Sequence, residues 1–463
     1  MTGDQRSGKG PGGLTGLEAV VAVAEGRVTV AALHRDAIDR AGRWEPALGA
    51  IVDPIDCSPM VAAGTLTGMV LGIKSLIAVG GFPDWHSYQS GEYPPSPAEA
   101  NAPVVGRLLA AGAVLAGTTA APLLGAPGGL TPQTMNPRSS ALVSGGSSGG
   151  SAAAIAAGLV HGALGTDAGG SIRIPAACCG VVGLHTTRGL VPLTGVAAAT
   201  YSMDAVGPMA ATVADTRALL DVIVGPDGVD PHATAAPPMK RAEGPLRIGI
   251  PAEQLASNID AEVRAAFEGV VEILRDSHAS VDVVSIPMID ESMELGPWTI
   301  GIVESVAGME DAFGEGVMEL PGFPAAVEAA SRVPATRLAR AYHRVALLRA
   351  ALREVFEGVD VLVSPTLPCR IPLFEGSDRE ADIEVGGVVE ERTAALTRFV
   401  NPWNLAAVPA GSVPIARDSR GGPISLQVIG PWFSKHLVLD VMEQVEKALG
   451  GPWAQEGRPP VRD

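Results

Sequence analysis

The sequence predicts an α/β fold, a sheet covered by helices, and three observations predict it. After residue 245 the pattern runs strand, helix, strand: LRIGI (246–250), an amphipathic helix from Asp260 to Arg275 with Val263, Phe267, Val270, Val271 and Leu274 on one face, then VDVVSI (281–286). Short apolar runs bounded by turn residues, among them ALGAIV (47–52), MVLGIK (69–74) and VDVLVSP (359–365), read as buried strands. Hydrophobic residues make up 47% of the chain and charged residues 18%, enough for a deep core and too apolar for a disordered chain.

Taken in order, residues 1–13 (MTGDQRSGKGPGG) read as a disordered leader without the apolar stretch of a signal peptide. No run of eighteen apolar residues follows, so a soluble, cytoplasmic protein with no membrane partner is expected. Leu14 to Arg43 carries two helical patterns split at Gly26, the second behind a capping candidate at Thr29. Val104 to Ala116 reads as helix then strand, residues 121–140 as a loop rich in Gly and Pro, and residues 200–225 as a turn followed by a helix from about Thr212. Asp227 to Gly244 is a proline-containing linker, and a length of 463 residues would by itself favour two or three domains. Residues 288–358 read as mostly helical, and the chain closes with NPWNLAAVPAGSVPIA (401–416), ISLQVIGP (424–431) and the helix HLVLDVMEQVEKAL (436–449).

A net charge of −17 with no Lys/Arg cluster argues against a nucleic-acid partner. Cys57, Cys178, Cys179 and Cys369 have no metal-ligand spacing, and the eight histidines include no H-x-x-x-H pair, so no metal site is expected.

The chemistry concentrates between Val143 and Gly183, where two glycine-rich loops each present a serine, Ser147 and Ser171. Helix formers from Ser151 to Ala157 stop at Gly158, so the first loop feeds a short buried helix whose N-terminus carries partial positive charge. In the second loop Gly169 and Gly170 precede Ser171 and let backbone N–H groups turn toward one point, as an oxyanion hole requires. Lys74, at the end of an apolar strand, is the candidate base, because burial lowers a lysine's pKa and a neutral amine can accept a proton. Taken alone it reads better as a lysine snorkelling from a strand end; the two serine loops turn the reading toward a base.

These residues resemble the amidase signature family. GGSSGGSAAAIAAGL and GTDAGGSIRIPAACCGVVGL match its signature almost position for position, with Ser147 and Ser171 standing 24 positions apart. The likeness extends to the lysine segment, SMDAVGPMAATVAD, VLVSPTLP, NPWNLAAVPA and GGPISLQVIGP, and is weakest over 288–358. It implies one α/β domain over 14–463, a large mixed β-sheet sandwiched between α-helices, in place of several domains. It implies Ser171 as nucleophile, Ser147 as relay behind a cis peptide bond, and Lys74 as base. The N–H groups of Ala168, Gly169, Gly170 and Ser171 would bind the oxyanion, with Ser148, Asp167 and Arg173 supporting the loops. The implied activity is hydrolysis of a C–N bond in a small-molecule amide, carbamate or urea through an acyl-serine, without a cofactor; a homodimer is compatible with it.

Ser75, His185, Thr186 and Ser425 depart from residues common in the family and touch none of the three catalytic positions. The pocket would include residues near Trp85 and the section from Met288 to Arg353. Two rivals stand beside this reading. Gly146 to Gly150 fits G-x-S-x-G with Ser148 as nucleophile, which needs a downstream histidine such as His278, His343 or His436. The other is the ammonia-releasing amidase component of a tRNA-dependent amidotransferase, which typically carries glutamine where this chain has Ile174.

Overall fold

A computed structural model describes residues 13–55, 62–83, 97–122, 134–197, 200–237, 244–277, 279–313, 322–374 and 382–451. Its strands are β1 (Ile51–Pro54), β2 (Val70–Lys74), β3 (Val114–Thr119), β4 (Gly162–Asp167), β5 (Val182–His185), β6 (Ala205–Ala210), β7 (Arg247–Pro251), β8 (Ser280–Val284), β9 (Val361–Pro365), β10 (Asp382–Val385), β11 (Val388–Glu391), β12 (Ala410–Arg417) and β13 (Pro423–Ile429). Eleven of them form one sheet in the order β1-β3-β2-β4-β6-β5-β12-β13-β9-β7-β8, while β10 and β11 make a separate hairpin. The large sheet is mixed: β2 pairs parallel with β3 and β4, β7 pairs parallel with β8 and β9, and the middle of the sheet is antiparallel.

Helices cover both faces, and β5 shows how. Because successive strand residues point to opposite sides, Gly183 faces Ile172 and Ala176, whereas Leu184 joins the cluster that holds Val438 and Met442. Covered on both sides, the central strands are buried along their whole length, as β2 and β4 are. The sheet runs through the linker at 227–237 without a boundary, since β6 before it and β7 after it belong to the same sheet. The chain is therefore one α/β domain, as the resemblance implied and length alone did not.

Local signals are realised closely. Thr15 caps the helix Gly16–Ala24 in a capping box with Glu18, Thr29 caps Val30–Leu48, and Thr212 caps Val213–Ile223. The helix Ala261–Asp276 buries Val263, Phe267, Val270, Val271 and Leu274, the five positions its periodicity marked. Residues 288–358 are helical in Ser292–Leu295, a π-helical turn at Gly296–Gly301, Ile302–Phe313, Phe323–Ser331 and Ala335–Gly358.

Other expectations need correction. ALGAIV is not one strand: the preceding helix runs through Leu48, Gly49 ends it in the left-handed region at φ 61, and β1 starts at Ile51. The segment AVGPMA, read within a turn, is β6, and β4, GALGTD, takes in the GTD read as the start of the second serine loop. Their small residues belong to a tightly covered sheet: a Cβ on Gly207 would collide with the Leu184 carbonyl oxygen. The leader up to residue 12, Cys57, Trp85 and His278 lie outside the described residues.

Candidate active site

The parallel pairing of β2 with β4 sets Ile73 opposite Leu164 and brings the ends of both strands to one edge, where Lys74 and Thr166 meet. The Lys74 side chain is fully buried. Its Nζ donates to Ser147 Oγ at 2.7 Å and to Thr166 Oγ1 at 2.7 Å, with the Thr166 carbonyl at 3.4 Å. Burial pushes this amine down from its ordinary 10.5 to about 7, against the upward pull of Asp204 and Asp167. At neutral pH a large share of it is uncharged and able to take a proton.

Ser147 follows a cis Gly146–Ser147 peptide bond and is buried at the start of the segment leading into the helix Gly149–Ala156. That helix is enclosed on all sides, which its alanines and glycines allow; a Cβ on Gly150 would collide with the Ala120 nitrogen. Ser148 joins the two serine loops: its N–H donates to the Ser171 carbonyl at 3.0 Å, and its hydroxyl donates to the Thr166 carbonyl at 3.3 Å. Its hydroxyl is thus occupied by backbone. His343 and His436 are exposed, the latter 3.8 Å from Asp221, and neither bonds Ser148. Nothing among the described residues builds the G-x-S-x-G alternative.

Asp167 organises the second loop from below. Its carboxylate accepts from Gly170 N–H at 2.7 Å, Ile172 N–H at 3.2 Å, Arg173 Nε at 3.0 Å and Asn404 Nδ2 at 2.8 Å. Burial works to raise its pKa, but the Arg173 guanidinium, the nearby His185 and the Asn404 amide hold it well below the usual carboxylate range. Arg173 is fully buried and spends its remaining donors on the Val400 carbonyl, Gln427 Oε1 and Asn404 Oδ1, at 2.8, 2.8 and 2.5 Å. A buried, bidentate pair with its other donors satisfied is the arrangement in which such a pair is tolerated. Its effect is to lock the loop 168–172 against the segment 400–404.

Of the four N–H groups expected to face an oxyanion, that of Gly170 is engaged by Asp167. Those of Ala168, Gly169 and Ser171 meet no acceptor among the described residues, and these three residues are half-buried while their surroundings are closed. They form the open rim of the site. Gly170 takes φ +113, and a Cβ there would collide with Val400 Cγ2, so glycine is required by both conformation and space.

The departures from family usage lie in the packing behind the loops. Ser75 and Ser425 are buried, Thr186 Oγ1 donates to the Val206 carbonyl at 2.9 Å, and His185 donates from Nδ1 to the Val408 carbonyl at 3.1 Å. Burial pulls His185 down to about 4, so it is neutral. Ile174 is 1% exposed in an apolar cluster with Ala177, Leu396 and Val400, beneath the loop rather than on its open rim. Cys178, Cys179 and Cys369 are buried free thiols, and burial pushes Cys179 and Cys369 up to about 12, where they are unreactive. No group of three or more His, Cys, Asp or Glu suited to a metal ion occurs among the described residues, and no helix there is long and apolar enough to cross a membrane.

Thr166, Asn404, Gln427 and Asp204 were not singled out by sequence reasoning. Thr166 could have been found by recognising GALGTD as a strand parallel to MVLGIK. The other three lie too far along the chain for any local signal.

Known proteins resemble this chain over most of its length. The family model described as Amidase matches residues 58–439. The A subunit of the glutamyl-tRNA(Gln) amidotransferase of Natronomonas pharaonis is 35% identical over 413 residues, covering 80% of this chain and 93% of that protein. An amidase of Pseudomonas putida is 33% identical over 418 residues, covering 88% of this chain and 83% of the relative. Among solved structures, a 6-aminohexanoate cyclic dimer hydrolase complexed with substrate superimposes at TM-score 0.85 with 26% identity, covering 98% of this chain and 100% of that chain.

Proposed function

The chain belongs to the amidase signature family, and from that premise we propose that it is an amidohydrolase that cleaves a C–N bond of a small-molecule amide, or a related carbamate or urea, through an acyl-serine. The observation that carries this reading is the fully buried Lys74 amine, brought to about 7 and in hydrogen-bond contact with Ser147 Oγ. Neutral Lys74 takes the Ser147 proton, Ser147 takes the Ser171 proton, and Ser171 Oγ attacks the carbonyl carbon. The oxyanion of the tetrahedral intermediate is held by the N–H groups of Ala168, Gly169 and Ser171. The proton stored on Lys74 returns through Ser147 to the leaving nitrogen, and the C–N bond breaks. Water then enters by the same relay and releases the acid. Asp167 and Arg173 shape the loop and touch no reacting atom in this scheme.

Intact-mass measurement after treatment with a fluorophosphonate tests it: one adduct on the wild type and on Ser148→Ala, none on Ser171→Ala. An adduct mapped to Ser148 would contradict the assignment. A panel of anilides, aliphatic amides and carbamates then identifies the acyl group.

The similarity to amidotransferase components supports a second reading, in which the same chemistry releases ammonia within a complex. Ile174, being enclosed in the core, does not argue against it through a substrate contact. Turnover of amides by the isolated chain favours the hydrolase; glutaminase activity that appears only with co-purified companion chains favours the alternative.

A further inference from the structure

We propose that Asn401 reads the amide N–H of the substrate and so sets a preference for amides over esters of the same acid. The inference rests on the reading of Ser171 as the attacking group. Asn401 Nδ2 donates to the Ser292 carbonyl at 2.7 Å, which fixes the end of the carboxamide that is nitrogen. The oxygen therefore faces the other way, and Oδ1 lies 3.6 Å from where a Cβ on Gly169 would stand. Gly169 is on the open rim of the oxyanion loop. No donor among the described residues meets that oxygen, although Asn401 is 1% exposed.

The placement is tightly built. Gly296, the first residue of the π-helical turn, stands against the carboxamide, where a Cβ would come within 2.5 Å of Nδ2 and 2.9 Å of Oδ1. Only a glycine leaves the room the carboxamide occupies. The preceding Val400 is held by Arg173 Nη1 on its carbonyl at 2.8 Å, so the buried ion pair that shapes the loop also fixes Asn401 beside it. A carbonyl oxygen that no donor meets is a ready acceptor, and a substrate N–H passing Gly169 would satisfy it. An ester oxygen at the same place offers lone pairs and no proton.

The test compares a 4-nitroanilide with the 4-nitrophenyl ester of the same acid, in the wild type, Asn401→Ala and Asn401→Leu, with Ser171→Ala as background. Both Asn401 variants should lower the anilide-to-ester ratio of kcat/KM by about tenfold. The wild type supplies a second measurement: the N-methylated anilide, which lacks the proton, should react about tenfold more slowly than its parent, a gap that Asn401→Ala closes. An unchanged ratio, a parallel loss of both substrates, or an N-methylated anilide turned over as fast as its parent overturns the proposal. Enzymatic turnover that survives in Ser171→Ala contradicts the nucleophile instead and leaves a different signature.

Discussion

Replacing Lys74 by Met should abolish activity and at the same time stabilise the folded protein near neutral pH. The drop of the Lys74 amine from 10.5 to about 7 corresponds to about 5 kcal/mol by which burial disfavours its charged form relative to the unfolded chain. Met has similar length and no charge to desolvate. It forfeits the hydrogen bonds to Ser147 and Thr166, at about 1 kcal/mol each, leaving a net gain of roughly 3 kcal/mol at pH 7 and below. Between about 7 and 10.5 the unfolded chain binds the extra proton and the folded one does not, so the wild type gains stability as pH rises through that window. The variant does not, so its advantage should shrink and reverse toward about pH 10. Denaturant unfolding of both proteins across this range, with kcat/KM recorded alongside, is the assay. A variant that is less stable than the wild type at pH 7, by an amount independent of pH, would refute the claim that Lys74 is held neutral.

The pH profile of the wild type follows from the same group: kcat/KM should rise about tenfold between roughly pH 6 and pH 8 and then level off, whereas an unshifted lysine would keep it rising toward about pH 10. Lys74→Arg should not restore activity, since guanidinium stays protonated. Asp167→Ala leaves Arg173 buried without its carboxylate and should cost about 3–5 kcal/mol in unfolding free energy along with activity, measured by denaturant melts. Replacing His343 or His436, both exposed, should leave kcat/KM within about twofold; a folded histidine variant without activity would revive the G-x-S-x-G mechanism. Phe267→Ala, in the core at 2% exposure, should destabilise by about 3–5 kcal/mol without moving the pH profile.

The parts of this protein that sequence determined by itself are those whose cause is local. Thr29 caps its helix because the hydroxyl needs only an N–H three residues on, and the apolar face of 261–276 follows from helical spacing alone. Ser171 behind two glycines is a local signal of the same kind. What the tertiary structure decided is convergence. Lys74 meets Ser147 and Thr166 across separations of 73 and 92 residues; the parallel register of β2 and β4 brings it to Thr166, and the loop ahead of the helix Gly149–Ala156 brings Ser147. The fall of the lysine pKa comes from the enclosure around it, a property no residue carries in its own name. Asp167 reaches Asn404 across 237 positions, and it takes the Gly170 N–H, one of the four amides the resemblance implied for an oxyanion. The strands β4 and β6 escaped sequence reading for a related reason. Their glycines and alanines lack the branched side chains that mark a strand, and they are strands because neighbouring backbones pack closely enough to need small residues there.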